Sequence, residues 1–494
     1  MTPSRRLAAA VALALAGALA AAMPTAAGAR DADLVAAHRS LYPAAEAAAR
    51  SGPGPEGAQG AYDAARDLEE AVRRSAPVSR RCRALGRSLG RYAAGRVRQM
   101  EGVDRLSRDE VGAGRRIAEA ARESIAGSAR SCGGTGGSAR PEPLAMSPAA
   151  GEAFFGAVVA RAPREADAAR LLVDGRPAAR ARVRGGRARF SVRAEPGRHT
   201  LRVTFSRGAR ALGSARAAGA WLLPSGARRA APGSERRAAL TATLSDALAG
   251  GPRYRAAWVQ DLTSGEVAGV NAAAPFPAAS TVKLGVLAGA LARLGARPER
   301  SPYADDLRAM AGWSSNLATN RLLRRLGGTA TAADGLRRLG ARASTFPGEF
   351  LVATELQPAL PAADAAEAPP RVSGRVTTAE DLGRMLFSLH AAAVGAPGAR
   401  AETGLTAHQA RLGLGWLLSS EQRGDNVSLL AGGVAPGTPI AQKNGWISTA
   451  RHAAGIVYAP GGPAIAVVLT YDEDGVPLSE ARATGARVAA LAVR

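Results

Sequence analysis

The clearest candidate for chemistry is a serine followed three residues later by a lysine, Ser280 and Lys283, in FPAASTVKLGVLAGALARL. Phe276 and Pro277 lead into a helix that the pattern predicts to open near Ser280, so one turn places both side chains on one face. A serine hydroxyl needs a base within hydrogen-bond reach to act as a nucleophile, and a lysine taken out of water can be that base. Taken alone, Ser-x-x-Lys is a weak pattern that ordinary helix capping also produces.

Two other short polar runs lie in the same part of the chain. Ser314–Asn316 stand at the start of an amphipathic helix pattern in MAGWSSNLATNRLLRRLGG, where Ser and Asn also suit a simple helix N-cap. Lys443–Gly445 precede a strand pattern in PIAQKNGWISTARHAAGIVYAP, where a turn that ends in Asn-Gly is the alternative. Each run alone is open to a purely structural interpretation.

Strand patterns lie at both ends of residues 235–494, and helix patterns lie between them. YRAAWVQDL is near the start of this segment, whereas HAAGIVYA and AIAVVLTY are near its end. This order predicts one sheet that is assembled from both ends and packed against a helical lobe. Four of the five tryptophans fall here, so we expect the larger core and any binding cleft in this segment.

In this order and within one domain, the three polar runs resemble the motifs of class A β-lactamases and penicillin-binding proteins. TTAEDLGRML looks like the segment after that family's omega loop, and GLGWLLSSEQRGDNVSLLAGGVAPGTPIAQKNG resembles the run into its Lys-Thr-Gly strand. The resemblance covers residues 235–494. It implies an α/β (α+β) β-lactamase-like domain with an antiparallel sheet and a helical lobe, and a serine hydrolase that needs no metal or other cofactor.

The resemblance also implies a role for each matching residue. Ser280 would be the acylated nucleophile, Lys283 its proton acceptor, and Ser314 the donor of a proton to the leaving nitrogen. Asn316 would hydrogen-bond the substrate amide. The backbone N–H groups of Ser280 and Trp446 would form the oxyanion hole. The remaining substrate-binding assignments are Lys443, which brings positive charge to the cleft and the substrate carboxylate, together with Asn444, Gly445 and Arg451.

Three positions depart from the family's pattern. Ser315 replaces the aspartate of Ser-Asp-Asn, which we expect to alter local structure more than chemistry. Asn444 stands where a Thr or Ser hydroxyl is usual, a change that could shift substrate preference. In the omega loop, Ala353 stands where the deacylating glutamate belongs, and Glu349 and Glu355 are the carboxylates close enough to replace it. Without such a base, acylation proceeds but turnover is slow.

The chain before this domain is predicted to hold two more. Residues 30–135 repeat apolar positions every three or four residues, which predicts an α-helical bundle. Residues 145–225 alternate in short segments separated by Gly pairs and Asp-Gly, which predicts a small β-sandwich of immunoglobulin-like type. Two segments are interpreted as linkers: CGGTGGSARPEP and LLPSGARRAAPGSERRA.

The N-terminus and the cysteines indicate the compartment. Residues 1–29 combine Arg5 and Arg6 with an apolar run and a small-residue segment, the layout of a secretory signal peptide rather than of a membrane anchor. Export to an oxidising compartment makes a Cys82–Cys132 disulfide the simple expectation, with two free buried thiols as the alternative. The sequence therefore predicts a secreted, extracytoplasmic protein.

The charge balance bears on partners. Lys and Arg outnumber Asp and Glu by 65 to 41, a formal net charge of +24, which favours polyanionic neighbours: nucleic acid, anionic lipid head groups or acidic envelope polymers. The charge alone does not choose between them. Only 4% of the residues are aromatic, too few to stack on bases, so nucleic acid is a poor fit for an exported chain. The basic helical faces are otherwise simply solvated surface. We expect a monomer.

Three functions remain open from sequence. The first is a secreted hydrolase that opens β-lactams or related amides through an acyl-serine intermediate. The second is a D,D-peptidase-like penicillin-binding enzyme that acts on cell-wall peptides. The third is a catalytically idle envelope-binding protein, in which the two N-terminal domains dock onto acidic polymers.

Overall fold

A computed structural model of the chain describes residues 26–50, 55–76, 78–80, 82–132, 144–230, 235–352, 369, 374–420 and 428–493. The predicted signal segment at residues 1–29 lies almost wholly outside these ranges, as does the first of the two predicted linkers. The chain divides into two compact units, Met1–Glu142 and Pro143–Arg494. No helix within the described ranges is both long enough and apolar enough to cross a membrane.

The first unit consists of four described helices: α1 (Ala26–Ala48), α2 (Pro55–Ser75), α3 (Arg83–Asp104) and α4 (Arg108–Ser131). Their apolar faces meet in one core, in which Leu34, Leu68, Leu85 and Tyr92 are completely buried. A disulfide joins Cys82, at the start of α3, to Cys132, at the end of α4, with the two Cα atoms 4.4 Å apart. The predicted disulfide is confirmed.

The second unit opens with two small sheets. The first has the strand order β1-β3-β6 and the second β2-β8-β7-β4-β5. The strands are β1 (Met146–Ser147), β2 (Ala153–Phe154), β3 (Ala157–Arg161), β4 (Ala168–Val173), β5 (Arg176–Arg182), β6 (Arg187–Ser191), β7 (Gly197–Arg207) and β8 (Arg210–Leu222). One apolar core forms from both sheets. The immunoglobulin-like classification of this part stays a prediction.

The segment after β8 was predicted to be a linker, but its described part is fixed to the following domain. The N–H of Arg228 donates to the Leu262 carbonyl oxygen at 2.8 Å, and the Gln260 side chain donates to the Arg228 carbonyl oxygen at 3.2 Å. The carbonyl oxygen of Gly226 lies 2.6 Å from Nε2 of the buried His390. This connecting stretch is therefore held against the domain by its own backbone groups and is not left to water.

The C-terminal domain is built on a five-stranded antiparallel sheet of order β10-β9-β15-β14-β13. Its strands are β9 (Tyr254–Asp261), β10 (Val267–Val270), β13 (Ile440–Ile447), β14 (Ala450–Ala459) and β15 (Gly462–Tyr471). The first strand of the domain, β9, pairs with the last, β15. The prediction of one sheet assembled from both ends of the domain is confirmed.

Helices cover both faces of this sheet. On one face lie α5 (Glu235–Leu248) and α13 (Leu478–Ala492). The helical lobe on the other face comprises α6 (Lys283–Arg293), α7 (Ala304–Trp313), α8 (Asn316–Leu326), α9 (Thr329–Arg338), α10 (Ala379–Val394), α11 (Ala399–Thr403) and α12 (Ala407–Leu418). A two-stranded ribbon of β11 (Phe276–Pro277) and β12 (Val376–Thr377) lies beside it.

Helix α6 is the centre of the lobe, and its residues from Lys283 to Leu291 are all buried. Gly289 makes that position possible, because a Cβ added there would lie 1.9 Å from the Thr331 carbonyl oxygen of α9. A central helix locked between its neighbours gives a rigid base for the side chains at its start.

Candidate active site

Ser280 lies in a tight turn between β11 and α6, not inside the helix. Thr281 N–H donates to the Ala278 carbonyl at 3.1 Å and Lys283 N–H to the Ser280 carbonyl at 3.2 Å, both i to i+3 bonds, and α6 begins at Lys283. The helix that was expected to open near Ser280 therefore begins three residues later. Side chains three residues apart still share a face in this backbone. Ala279 has φ +46°, a left-handed conformation that is unusual for alanine and typical of functional sites.

Ser314 and Ser315 have separate tasks at the junction of α7 and α8. Ser315 is the N-cap of α8, and its hydroxyl accepts from the Ala318 N–H at 3.0 Å. Asp and Ser cap helices about equally well, so the serine that replaces the family's aspartate retains a capping role. Ser314 ends α7 in a left-handed conformation, with φ +65°, and this turn points its hydroxyl elsewhere.

Two lysines meet at the Ser314 hydroxyl. The Lys283 ammonium donates to Ser314 Oγ at 3.2 Å, to the Ser314 carbonyl oxygen at 2.6 Å and to Asn316 Oδ1 at 2.7 Å. The Lys443 ammonium donates to Ser314 Oγ at 2.9 Å and to the Asn444 carbonyl oxygen at 2.8 Å. Each lysine is 1% exposed. The structure thus brings together one residue from each of the three sequence motifs.

This arrangement places two positive charges around one oxygen in a buried site. Like charges at this separation repel, and the repulsion is relieved when one amine loses its proton. A neutral lysine amine is the form that can take a proton from a hydroxyl. The hydrogen bonds to Ser314 and Asn316 hold the Lys283 amine at the junction of α7 and α8.

The edge strand β13 brings Lys443 to the Ser280 turn. Gly445 allows the approach: a Cβ there would lie 2.7 Å from the Ala278 carbonyl oxygen and 2.9 Å from the Thr281 nitrogen. Since Lys443–Gly445 lie inside β13, the alternative of a turn ending at Asn-Gly is wrong. The backbone N–H of Ser280 donates to no backbone acceptor in the described ranges, which leaves it available to an oxyanion.

Asn444, Trp446 and Arg451 lie on the two strands at the edge of the sheet. The Asn444 side chain is 0% exposed. Because successive side chains of a strand point to opposite faces, it lies on the face of β13 opposite to Lys443. Arg451 of β14 pairs with Trp446 in register, and its guanidinium carbon lies 4.8 Å from the indole centre. Within the described structure, Trp446 Nε1 and Arg451 Nε are buried without a hydrogen-bond partner. Their assignment to substrate binding stays a prediction.

The start of the omega loop packs directly on the site. Asn320 of α8 holds Phe350 through both backbone groups, with N···O distances of 2.8 Å each. The Asn316 amide donates to the Leu351 carbonyl oxygen at 3.3 Å. As a result the Phe350 ring centre lies 4.2 Å from the Lys283 nitrogen. An aromatic face tolerates a cation while it excludes water from it.

Arg375 supports this loop from the opposite end, and the sequence analysis did not identify it. Its guanidinium lies 4.2 Å from the centre of the Phe350 ring and 5.6 Å from that of Phe346. It donates to the carbonyl oxygens of Gly348 and Glu349. Burial lowers the pKa of Arg375 to about 10, so it remains charged at neutral pH.

Glu349, one candidate for the missing deacylation base, is bound elsewhere. Its two carboxylate oxygens accept from Arg324 at 2.6 to 2.9 Å, and both side chains are more than a third exposed. The ion pair therefore directs the Glu349 carboxylate to Arg324 at the surface. Ala353 and Glu355 lie outside the described residues.

His452 of β14 is a second residue that the sequence analysis missed. Its Nδ1 accepts from the Thr470 N–H at 3.2 Å, so Nε2 carries the proton that it donates to the Pro277 carbonyl oxygen at 2.7 Å. Burial lowers the pKa of His452 to about 4 and keeps the ring neutral. The sheet is thereby tied to β11, directly before the Ser280 turn.

One signal in the sequence could have strengthened the motif assignment. Of the 65 Lys and Arg residues, only Lys283 and Lys443 are lysines. An arginine keeps its proton under all ordinary conditions, whereas a lysine can release it and is a compact point charge. A chain that uses arginine everywhere else therefore has lysine at the two positions where the motifs require it.

Comparison with known proteins gives a family for this domain. The family model described as the beta-lactamase enzyme family matches residues 239–298 and 296–494. A search of curated proteins found no match.

Among solved structures, similar chains include the beta-lactamases from Sphaerobacter thermophilus and Desulfarculus baarsii. Both are 19% identical, cover 52% of this chain and 95% or 98% of their own, and have TM-scores of 0.39 and 0.40. A mutant of PBP-A in an acyl-enzyme complex with penicillin G is 18% identical, with 54% and 97% coverage and a TM-score of 0.39. The matched family model spans more than half of the sequence, and the chain belongs to the beta-lactamase enzyme family.

Proposed function

We propose that the C-terminal domain opens β-lactams or related amides through an acyl intermediate on Ser280. The observation that carries the proposal is the Ser314 hydroxyl, which accepts from Lys283 at 3.2 Å and from Lys443 at 2.9 Å in a buried site. Gly445 allows the edge strand that carries Lys443 to lie against the turn that contains Ser280.

The geometry supports a specific sequence of proton transfers. Ser280 Oγ attacks the amide carbonyl carbon, and its proton goes to the neutral Lys283 amine. The oxyanion that forms is stabilised by backbone N–H groups, with that of Ser280 among them. The carbon–nitrogen bond then breaks as Ser314 Oγ gives its proton to the leaving nitrogen, and an adjacent lysine ammonium restores it. In its assigned role Asn316 hydrogen-bonds the substrate amide. The Lys283 amine then loses Asn316 Oδ1 as one of its hydrogen-bond acceptors.

The exchange of each lysine for arginine tests these roles. Lys283→Arg keeps the charge but removes the group that can accept a proton, so acylation should slow by about 100- to 10,000-fold. Lys443→Arg is the matched control, because its role is charge, and we expect its loss to stay within about tenfold. Mass spectrometry measures the rate at which the penicillin adduct forms. Ser280→Ala is the blank, and thermal melting checks that each variant is folded. Wild-type acylation by Lys283→Arg would contradict the base assignment.

A D,D-peptidase-like penicillin-binding activity is the second candidate, favoured by the state of the omega loop. Glu349 is bound by Arg324 at the surface, and Ala353 stands where the family's deacylating glutamate belongs. After a penicillin pulse, a Ser280 adduct that persists for hours supports this candidate. Rapid loss of the adduct with nitrocefin turnover supports the hydrolase, and complete failure of labelling supports the idle envelope-binding protein.

We also propose that the protein is exported through residues 1–29. The Cys82–Cys132 disulfide supports this, since such bonds persist outside the reducing cytosol. Expression in a bacterial host and intact-mass analysis of the extracytoplasmic fraction test it. We expect a chain cleaved near Ala29, and an uncleaved chain that stays in the cytosol would contradict the proposal.

A further inference from the structure

The outer face of the sheet β2-β8-β7-β4-β5 is covered by arginines. Along β4 and β7, buried residues such as Leu171 and Val203 alternate with exposed ones, which assigns the exposed set to the face away from the sandwich core. Five exposed arginines occupy this outer face on four neighbouring strands: Arg170, Arg180, Arg182, Arg202 and Arg216. We refer to these five as the arginine face.

The register places like charges directly opposite each other on this face. Arg170 of β4 pairs with Arg180 of β5, and Arg202 of β7 pairs with Arg216 of β8. Directly opposed like charges destabilise an antiparallel pair. In the part of the chain that the structure describes, none of the five arginines has a carboxylate within ion-pair distance. The face thus carries an electrostatic penalty that an anionic ligand would remove.

The same face is concave. A groove of about 520 Å³ is lined by Arg170, Arg180 and Arg182, with the hydroxyl-bearing Thr204 and Ser206 opposite them. Guanidinium forks bind the oxygens of phosphate groups bidentately, and hydroxyls add further donors. The groove therefore offers donors on both sides to an anion that has several oxygens.

The width of the arginine face and the residue types around it indicate which class of ligand fits it. From β8 to β5 the arginines span about 14 Å at the usual strand spacing, more than one phosphate can contact. Every Phe and Trp of residues 144–223 is buried or half-buried, which leaves no platform for nucleobases. The exposed large apolar residues of the described chain, Leu106, Ile117 and Leu351, lie elsewhere, so this face has no apolar anchor for a membrane.

We propose that the arginine face binds a linear polyanion whose phosphate groups are joined by small polar units. Residues 144–223 contain 15 arginines but five Asp and Glu residues, and this positive net charge adds long-range attraction for such a chain. Binding here would hold the C-terminal domain at a phosphate-rich polymer, whatever reaction that domain performs.

The test is binding of fluorescent poly(glycerol phosphate) to the full chain by anisotropy over a range of salt concentrations. The variant Arg170→Gln/Arg180→Gln/Arg182→Gln should weaken binding about 100-fold and reduce the salt dependence by about three released counterions. The matched control Arg161→Gln/Arg189→Gln/Arg193→Gln removes the same charge from exposed positions on, or directly after, the strands of the other sheet, β1-β3-β6, and it should bind within about threefold of the wild type.

A second readout separates binding from folding. Without polymer, the first triple variant should melt at or above the wild-type temperature, because an opposed like-charge pair is gone. The polymer should raise the melting temperature of the wild type and of the control only. Equal weakening of polymer binding in both triple variants would overturn the proposal. So would monomeric glycerol phosphate that competes as well as the unlabelled polymer. Tighter binding to a single-stranded oligonucleotide or to anionic lipid vesicles would also overturn it.

Discussion

His408 of α12 lies between two carboxylates, Glu299 of its own domain and Glu152 of the part that holds the two small sheets. Its Nδ1 lies 3.0 Å from Glu152, which directly precedes β2 and is completely buried, and its Nε2 lies 3.2 Å from Glu299. The hydrogen bonds to Glu152 and Glu299 raise the pKa of His408 from 6.5 to about 9, against the opposing effect of burial. We predict that His408→Gln lowers stability in a manner that depends on pH.

The size of the effect follows from this pKa. A rise from 6.5 to about 9 corresponds to about 3 kcal/mol at about 1.4 kcal/mol per unit of pKa. Because the His408 side chain is 31% exposed, solvent screening reduces this to about 1 to 2 kcal/mol. Between pH 6.5 and about 9 the folded protein holds a proton that the unfolded chain has lost, so stability falls as pH rises. The contribution is complete below pH 6.5 and is lost as pH rises through about 9.

Urea unfolding followed by tryptophan fluorescence over this pH range measures the difference between wild type and His408→Gln. The difference should be largest at the acidic end and should shrink toward the alkaline end. In a Glu152→Gln background the same substitution should show a weaker pH dependence, since one of the two carboxylates is gone. A difference that stays constant or grows with pH would refute the charged bridge.

Three further changes test individual contacts. Replacing Cys82 and Cys132 by serine should lower the stability of the helical unit by about 4 kcal/mol, because the disulfide closes a loop with a sequence separation of 50; urea unfolding followed by circular dichroism measures this. Asp306→Asn should cost about 3 kcal/mol or more in a thermal melt, since Arg321 is 2% exposed and ion-paired to that carboxylate at 3.3 Å. Ser315→Ala should lower the free energy of unfolding by about 1 kcal/mol, whereas Ser315→Asp should keep it near the wild-type value, because both Ser and Asp cap a helix. The rate of acylation should be unchanged in both variants, and a large loss of acylation would contradict a capping role.

Much of the C-terminal domain could be predicted from local patterns. Strands β9, β14 and β15 are rich in apolar residues, and their positions at both ends of the domain indicated the sheet that joins them. The three motifs were recognisable because their residue types and order are specific in combination. The disulfide followed from there being only two cysteines and a predicted export signal.

Other features depend on contacts that no local pattern encodes. The turn at Ser280 is set by the left-handed Ala279 and by the close approach of Gly445, from a strand 165 residues later. The stretch after β8 has the composition of a linker, yet Leu262 and Gln260 bind its backbone. Glu349 looked available as a base, but Arg324, 25 residues earlier, binds it. In each case the decisive partner is distant in sequence.

Acylation and deacylation make different demands on this site, and the described residues meet them unequally. In the proposed mechanism, acylation needs a nucleophile, a lysine that can release a proton, and a hydroxyl that can pass one on. Ser280, Lys283 and Ser314 are all buried, and the Lys283 amine donates to the Ser314 hydroxyl at 3.2 Å. Deacylation needs a carboxylate that activates water, and Glu349 is held at the surface by Arg324. Under the proposed function, the lifetime of the Ser280 adduct is therefore the quantity that distinguishes a hydrolase from a penicillin-binding enzyme.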